Sequence, residues 1–300
     1  MKTALECLPC YLRQAMQVVR LSTDNSELQI EALQKVAELA SKMDMDKTPP
    51  ENSVAVYRAL AAITACPDPY REIKKESNEQ AIALLPQFSD MVAKATDPLD
   101  IAFRLAIGGN IIDYGAMQSF DIDETMERCL QREYAIDDSG LLLQRLRNLD
   151  RDAKVLYLAD NSGEIVYDSL VVKELSAMGL DVTVAVKSGA IINDALLEDA
   201  RSAGLESYAT ILENGTSCPG TPLASISDEL MVAFENADII LSKGQGNFET
   251  LSEAQAEIFF LLTVKCSVVG SHLAEISGTQ QEKLPGEGEL VLYYYNGTEQ

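Results

Sequence analysis

The sequence predicts an α/β protein in which a helical first half precedes a mostly parallel sheet with helices on both faces. Two observations carry this prediction. Apolar residues recur at helical spacing through the first half of the chain, to about residue 150. After residue 150, short apolar runs alternate with helical stretches, and this βαβ alternation is typical of a parallel sheet. We therefore expect a helical domain over residues 1–150 and an α/β domain over residues 151–300.

The helical half is predicted to contain amphipathic helices separated by proline-containing breaks. The breaks lie at residues 48–50 and 66–70, where prolines interrupt the helical pattern. A later helical stretch contains the adjacent pair Gly108 and Gly109. Each glycine inside a helix costs about 1 kcal/mol relative to alanine, so this pair indicates a close approach of backbone or ligand.

The α/β half is predicted to contain six strands and the helices between them. The predicted helices include residues 165–178, 193–203, 225–236 and 250–260. The predicted strands are residues 155–158, 182–186, 210–212, 239–241, 264–269 and 290–295.

The charge and composition narrow the classes of partner. The net charge is −23 and the sequence pI is about 4.3, so we expect neither nucleic acid nor an anionic membrane as partner. The same field repels a phosphorylated substrate, so a phosphate site needs local lysines or a bound cation. No apolar run is long enough to span a bilayer, and the first ten residues do not resemble a signal peptide. Six cysteines in 300 residues do not make a disulfide scaffold, so a cytoplasmic location is expected.

A candidate site follows the first predicted strand, in the stretch VLYLADNSGE over residues 155–164. Asp160 and Asn161 place two oxygen ligands at the carboxyl end of that strand, where open α/β sheets bind ligands. Such hard donors suit Mg²⁺ or Mn²⁺, and the amides of Ser162 and Gly163 at the start of the next helix attract phosphate. The alternative is a helix cap and turn without chemistry, since these four residue types are common in turns.

Three further strand ends carry polar groups that are expected to converge on the same edge. Residues 187–189 are followed by Asp194, residues 214–221 are rich in hydroxyls and glycine, and residues 243–249 read KGQGNFE. Each loop alone is explained by the ordinary polarity of connecting loops. Together, oxygen ligands at two ends and a lysine with glycines at another fit metal-assisted phosphoryl transfer to water.

The cysteine pair Cys7 and Cys10 and the single histidine, His272, are assigned no role in this chemistry. The cysteine pair is compatible with half a zinc site, a redox pair or packing, and packing or an incidental thiol pair is favoured because the chain has no second CxxC. His272 is expected to be an ordinary loop or helix-start residue, since no nucleophile–histidine pair is available.

These stretches together resemble the stand-alone microbial branch of the damage-control phosphatases, a family with acidic-residue methyltransferase-like relatives. The resemblance covers most of the chain, from Cys7 to about Cys266. Its motifs are CLPCYLRQA, CPDPYREIKKESN, GGNIIDYG, LADNSGEIVYD, KSGAIINDA and KGQGNFETL followed by LLTVKC. The resemblance implies an N-terminal helical bundle and a C-terminal Rossmann-like three-layer α/β/α domain. It also implies a metal-dependent phosphatase of small phosphorylated metabolites, often sugar phosphates, that uses Mn²⁺, Ni²⁺, Co²⁺ or Mg²⁺.

The resemblance also implies roles for individual residues. The metal ligands implied are Asp160, Asn161 and Asp194. Leu262 stands where a related R-T-x-K motif has arginine, so this motif supplies no arginine to clamp the substrate. Residues expected at the substrate are Asn110 and Asp113 of a GN-x-x-D motif, Gly244, Gly246 and Asn247 of the glycine-containing loop, and Lys243 and Lys265.

The expected reaction is hydrolysis of a phosphate ester. Lys243 and Lys265 are expected to stabilise charge on the phosphoryl oxygens. Asp160 either holds the metal for attack by water or attacks phosphorus itself, and the missing DxDx(T/V) pattern slightly favours water. Two other classes stay open at this point: a non-catalytic module that binds a phosphorylated ligand, and an S-adenosylmethionine-dependent methyltransferase.

Overall fold

The computed structural model describes residues 1–109 and 130–297, and its first part is helical. The helix caps follow from the sequence. The Asn25 side chain accepts hydrogen bonds at the start of the second helix, and Thr48 and Glu51 form a capping box around Pro49 at the start of the third. The helices are α1 (Cys7–Ser22), α2 (Ser26–Ala40), α3 (Pro49–Thr64), α4 (Arg71–Lys94) and α5 (Pro98–Gly108).

The described strands form one sheet in the order β1-β7-β6-β5-β2-β3-β4. Every neighbouring pair is parallel except β6 and β7, which run antiparallel. This confirms the predicted mostly parallel sheet. The strands are β1 (Tyr134–Asp137), β2 (Lys154–Leu158), β3 (Asp181–Val186), β4 (Thr210–Glu213), β5 (Ile239–Lys243), β6 (Ile258–Val264) and β7 (Glu289–Tyr295).

Helices cover both faces of the sheet. Successive residues of β2 point to opposite faces, so Val155 and Tyr157 join one buried cluster and Leu156 and Leu158 join the other. The first cluster also takes in α4 and α5, so these two helices share a core with the sheet, whereas α1 to α3 bury a smaller cluster of their own. The helices of this part are α6 (Ser139–Arg147), α7 (Glu164–Ala177), α8 (Leu197–Ser202), α9 (Asp228–Glu235), α10 (Gln245–Leu251) and α11 (Ser267–Ser277).

The secondary structure differs from the predicted elements in three places. Tyr134–Asp137 forms an edge strand inside the half that was expected to be helical, and Ile258–Val264 forms a central strand where residues 250–260 were predicted as helix. Ser267–Ser277 is a helix, although residues 264–269 were predicted as strand. β6 is buried along its whole length, so it lacks the alternation that distinguishes a strand from a buried helix. The domain boundary near residue 150 stays a prediction.

The sheet topology places the candidate site at the carboxyl ends of β2 and β5. The chain passes from β2 outward to β3, whereas β5 lies on the other side of β2, so the strand order reverses between these two strands. Ligands of open α/β folds bind at such a reversal. No helix within the described residues is long and apolar enough to cross a membrane.

Candidate active site

Asp160 and Asp194 lie side by side because backbone hydrogen bonds join the two loops that carry them. The Ala195 amide donates to the Asp160 carbonyl at 2.8 Å, and the Ser162 amide donates to the Asn193 carbonyl at 2.9 Å. Asn161 forms an antiparallel bridge with Asp194. The loops after β2 and β3, far apart in sequence, therefore form one rigid rim at the sheet edge.

The side chain of Asn161 is oriented by two carboxylates. Its Nδ2 donates to Asp160 Oδ2 at 2.7 Å and to Glu164 Oε2 at 3.2 Å. Since the amide group has two N–H donors and both point to carboxylates, its Oδ1 is left as an acceptor for a cation. Glu164, the first residue of α7, thus acts as a second-layer partner that fixes a ligand's orientation.

Asp160 and Asp194 lie in surroundings that disfavour their ionised forms, which a bound cation would stabilise. Burial, the Glu164 carboxylate and Asp194 raise the pKa of Asp160 from 3.8 to about 8, against the opposing charges of Lys265 and Lys187. Burial raises the pKa of Asp194 to about 6, and Lys187 is the strongest group opposing this rise. Asp194 Oδ2 is buried and accepts no hydrogen bond from the described residues. Carboxylates in such surroundings are stabilised in their ionised form by a divalent cation.

The residues present fit a metal ion. Asp160, Asn161 and Asp194 offer two carboxylates and one amide oxygen, a hard-oxygen set suited to Mg²⁺ or Mn²⁺. Within residues 1–109 and 130–297, no group of three or more His, Cys, Asp and Glu side chains is arranged to hold a metal. The set predicted from the sequence contains only two residues of those four types, because its third ligand is an amide.

Lys243 is held inside the protein rather than at the cleft. Its side chain is fully buried, and its Nζ donates to Glu164 Oε1 at 2.5 Å, Asp168 Oδ1 at 2.7 Å and the Ala106 carbonyl at 2.9 Å. Burial disfavours its charge, but Asp168 and Glu164 outweigh that effect and raise its pKa above the ordinary value. All three ammonium protons therefore have internal acceptors. This geometry disagrees with the predicted contact between Lys243 and the phosphoryl oxygens.

Lys243 instead contacts the rim that carries the candidate metal ligands, through Glu164. The same carboxylate that accepts from Lys243 through Oε1 accepts from Asn161 through Oε2. Asp168, one turn further along α7, also accepts from the Tyr157 hydroxyl at 2.7 Å. A buried charged network thus connects β2, β5, α5 and α7 beneath the candidate ligands.

Two further residues predicted at the substrate are also used internally. Asn247 Nδ2 donates to the carbonyls of Ala159 and Lys243, and its Oδ1 accepts from Thr221 Oγ1 at 2.8 Å and Lys187 Nζ at 3.3 Å. Gly246 lies against a neighbouring loop, where an added Cβ would come within 1.8 Å of the Pro219 carbonyl oxygen. Both residues lock loops together, a role that differs from the predicted substrate contact.

Gly244 has a close-approach role at the candidate site. Its backbone is in a positive-φ conformation (φ 80°), and an added Cβ would lie 2.0 Å from Asp160 Oδ2. The glycine at the end of β5 therefore lets the Asp160 carboxylate sit against the β5 backbone. This glycine of the predicted loop motif therefore seats a candidate metal ligand.

We expect Gly244→Ala to reduce metal affinity and phosphatase activity by about tenfold or more, because the methyl group must displace the Asp160 carboxylate. The matched control is Gly204→Ala, which also has a positive φ (72°) but meets no atom within 4 Å. Both variants carry backbone strain of about 1–2 kcal/mol, so thermal unfolding should shift in both. Metal titration and turnover should change in Gly244→Ala only, and equal activity of the two variants would contradict this role.

Two other lysines lie near the carboxylate pair. Lys187, at the end of β3, is buried and donates to the Gly220 carbonyl at 2.8 Å, with Asp194 Oδ2 at 3.7 Å. Lys265, just after β6, has an exposed side chain, and its charge lowers the pKa of both Asp160 and Asp194. Lys265 therefore lies at the surface near the two aspartates, and its contact with the phosphoryl group stays a prediction. Leu262, at the position where the related motif has arginine, is buried in the apolar core.

Helix α4 of the helical half contacts the loop that carries Asp160 and Asn161. Asn78 of α4 accepts from the Gly163 amide at 2.7 Å and donates to Asp199 Oδ1 at 2.5 Å. A cavity of about 180 Å³ lies between α3, the 66–70 loop and the residues that lead to Asp194. Ile192, on its wall, has φ 46°, a strained conformation for a β-branched residue and one that clusters at functional sites.

The sequence reasoning assigned no role to four site residues, although three of them carried a visible signal. Glu164 and Asp168 are spaced four apart as the acidic residues of the otherwise apolar stretch EIVYDSLVV, which marks a buried charged pair on one helix face. Lys187 directly follows an apolar strand, as Lys243 does. Asn78 carried no signal, because its contact with Gly163 crosses 85 residues of sequence.

The remaining predicted residues lie elsewhere. Asn110 and Asp113 fall outside the described residues. Gly109 makes the close approach that the glycine pair indicates, since an added Cβ would lie 2.6 Å from the Tyr167 ring. His272 hydrogen-bonds Ser252 at 3.0 Å, with its ring beside an aromatic core residue. Cys7 and Cys10 are half-buried free thiols at the start of α1.

Comparison with known proteins gives one consistent result. The family model described as the damage-control phosphatase ARMT1-like domain matches residues 3–280. Damage-control phosphatase PH1575 of Pyrococcus horikoshii is 34% identical over 278 residues, which cover 91% of this chain and 94% of that protein. A damage-control phosphatase of Archaeoglobus fulgidus is 32% identical over 294 residues, covering 95% and 99%.

The structural comparison agrees. The crystal structure of the Pyrococcus horikoshii protein, described there as a DUF89 family protein, superposes with a TM-score of 0.86 at 34% identity. The match covers 97% of this chain and 98% of that one. Sequence and fold therefore agree over nearly the whole chain, and the chain belongs to the damage-control phosphatase family with the ARMT1-like domain, whose members are phosphatases of phosphorylated metabolites.

Proposed function

We propose that this phosphatase is metal-dependent, hydrolyses small phosphomonoesters such as sugar phosphates, and holds its metal with Asp160, Asn161 and Asp194. The observation that carries the proposal is the hydrogen-bonded rim that sets these residues side by side, with a buried Asp194 oxygen that accepts no hydrogen bond from the described residues. Mg²⁺ and Mn²⁺ are the cations that this donor set supports best. A divalent cation bound there supplies charge stabilisation of the phosphoryl oxygens and lowers the pKa of a bound water.

The chain's own residues prepare the site for such a substrate. Lys265 provides a positive charge on the open side, which a phosphate needs in a protein of net charge −23. Lys187 offsets the charge of Asp194 from within the protein. Glu164, anchored by Lys243, holds the Asn161 amide so that its oxygen faces the metal position.

The size of the neighbouring cavity supports a small organic group on the phosphate. Its volume of about 180 Å³ lies below the roughly 300–1,000 Å³ typical of pockets for drug-sized ligands. Tyr57 and Tyr70 line it together with apolar side chains and Arg58, a mixture that suits a compact polar metabolite.

The test is phosphate release from p-nitrophenyl phosphate and a panel of sugar phosphates, in EDTA and with added Mg²⁺, Mn²⁺, Co²⁺ or Ni²⁺. We expect no release in EDTA and release with at least Mg²⁺ or Mn²⁺. Thermal unfolding in the same buffers should show stabilisation by the active metals. Phosphate release that persists after complete removal of metal would contradict the proposed metal dependence. Folded protein that releases no phosphate with any metal and any ester would contradict the proposed reaction.

A further inference from the structure

Lys74 is a buried cation in the helical half whose environment differs from that of the neighbouring lysine. Its side chain is 2% exposed, whereas that of Lys75 is 67% exposed. Lysine is almost never buried without a partner or a ligand. Its Nζ lies 2.9 Å from Asp68 Oδ2, but this contact lacks hydrogen-bond geometry, and Nζ makes no hydrogen bond to the described residues.

The position of Lys74 on α4 directs it toward the candidate site. Lys74 and Asn78 are four residues apart and therefore share one helix face. Asn78 on that face hydrogen-bonds the Gly163 amide, next to Ser162 in the loop that carries the metal ligands. Lys74 therefore lies one helical turn from the residue that contacts the loop of Asp160 and Asn161.

Three buried polar atoms in this region make no hydrogen bond to the described residues: Lys74 Nζ, Ser162 Oγ and Asp194 Oδ2. Their segments are joined by hydrogen bonds one residue or one helical turn away, from Gly163 to Asn78 and from Ser162 to Asn193. Buried polar groups are nearly always satisfied, so these atoms need a partner that the described residues do not supply, such as a water, an ion or a ligand. Two donors beside a metal-ligand carboxylate match the oxygens of a metal-bound phosphate.

We propose that Lys74 binds the phosphoryl group of the substrate, and that Asp68 is its counter-ion in the free protein and gives way to the phosphate. Asp68 lines the cavity beside the site, whereas Lys74 lies behind it, so a ligand entering from the cavity meets Asp68 first. An exchange of one anion for another keeps the buried ammonium paired throughout. This inference rests on the proposed function and adds the helical half to the phosphate-binding groups.

The test compares Lys74→Met, the matched control Lys75→Met, and Asp68→Asn. We measure KM, inhibition by inorganic phosphate, and the thermal stabilisation that phosphate gives in the presence of metal. Loss of one charge-assisted hydrogen bond should weaken phosphate binding by about tenfold or more in Lys74→Met, with Lys75→Met unchanged. Asp68→Asn should strengthen phosphate binding, because it removes the competing carboxylate.

Lys74→Met should weaken phosphate binding and Asp68→Asn should strengthen it, and these opposite effects distinguish a binding role from a structural one. If the Lys74–Asp68 pair only stabilises the fold, both variants lower the unfolding temperature and neither changes the affinity of the folded protein for phosphate, which overturns the proposal. If Lys74→Met does not fold, Asp68→Asn provides the test: stronger phosphate binding supports the proposal, and unchanged or weaker binding contradicts it. Phosphate stabilisation requires no turnover, so it tests Lys74 even if the wild type hydrolyses no ester. A wild type that phosphate does not stabilise overturns the proposal as well.

Discussion

Replacing Asp160 or Asp194 by alanine is expected to abolish metal-dependent phosphate release while the protein stays folded. Each change removes one of the two carboxylates that the described residues offer to the proposed metal site, so the cation and its stabilisation of the phosphoryl oxygens should be lost. A metal contributes several kcal/mol to such a reaction, which corresponds to a loss of about three orders of magnitude or more in turnover. Steady-state turnover and metal binding by calorimetry measure the two effects.

The control for these variants is Asp181→Ala. Asp181 is an exposed aspartate at the first residue of β3, at the opposite end of the strand from the site. Its replacement should leave turnover and metal affinity within about twofold of the wild type, as for an ordinary surface residue. Full activity of either Asp160→Ala or Asp194→Ala, in folded protein, would rule out the assigned metal ligands.

Asp160 also offers a readout that needs no substrate. In the metal-free protein its pKa is raised from 3.8 to about 8, so the folded state holds this proton more tightly than the unfolded state does. The resulting stability is complete below pH 3.8 and is lost as the pH rises through about 8. Asp160→Asn cannot ionise, so in EDTA it should unfold at a higher temperature than the wild type, increasingly so toward pH 8. Added Mn²⁺ should reverse that order, because only the wild type retains a negatively charged carboxylate at this position to bind the cation.

Lys243→Met is expected to act on stability first. The substitution leaves Glu164 and Asp168 as buried carboxylates without their cation, and breaking a buried ion pair in this way costs about 3–5 kcal/mol. That is a large part of the roughly 5–15 kcal/mol by which proteins of this kind are stable. Urea unfolding should show the loss, with Lys173→Met on the exposed face of α7 as the control.

A compensating variant tests the cause of this loss. Glu164→Gln and Asp168→Asn, added to Lys243→Met, remove the unpaired charges and should restore much of the stability. Activity should stay low in the triple variant, since the Glu164→Gln change removes the carboxylate that orients Asn161. A Lys243→Met protein of wild-type stability with lost turnover would instead support the direct contact with phosphate predicted from the sequence.

Local sequence patterns were sufficient to predict the strand ends that carry the proposed metal ligands. A buried apolar run followed by Asp160, Asn161 and Gly163 predicts a strand, a turn and a helix start, and each depends on residues within one turn of one another. The rule that parallel strands end at one edge then brings Asp194 to the same place. Thus the fold class and the convergence of polar strand ends on one edge could be argued from the sequence, and the family resemblance added the phosphatase reaction, whereas the strand order came only from the structure.

Long-range packing determined the surroundings of each lysine side chain, and no local sequence pattern distinguishes these surroundings. Lys187 and Lys243 both follow an apolar strand, Lys265 follows another, and Lys74 lies on a polar-faced helix. Whether each ammonium meets a buried carboxylate, a loop carbonyl or the open cleft depends on helices and loops that arrive from distant parts of the chain. The position where a strand ends is determined by residues that are neighbours in sequence. The surroundings of a long, flexible charged side chain are determined only when the helices pack against the sheet.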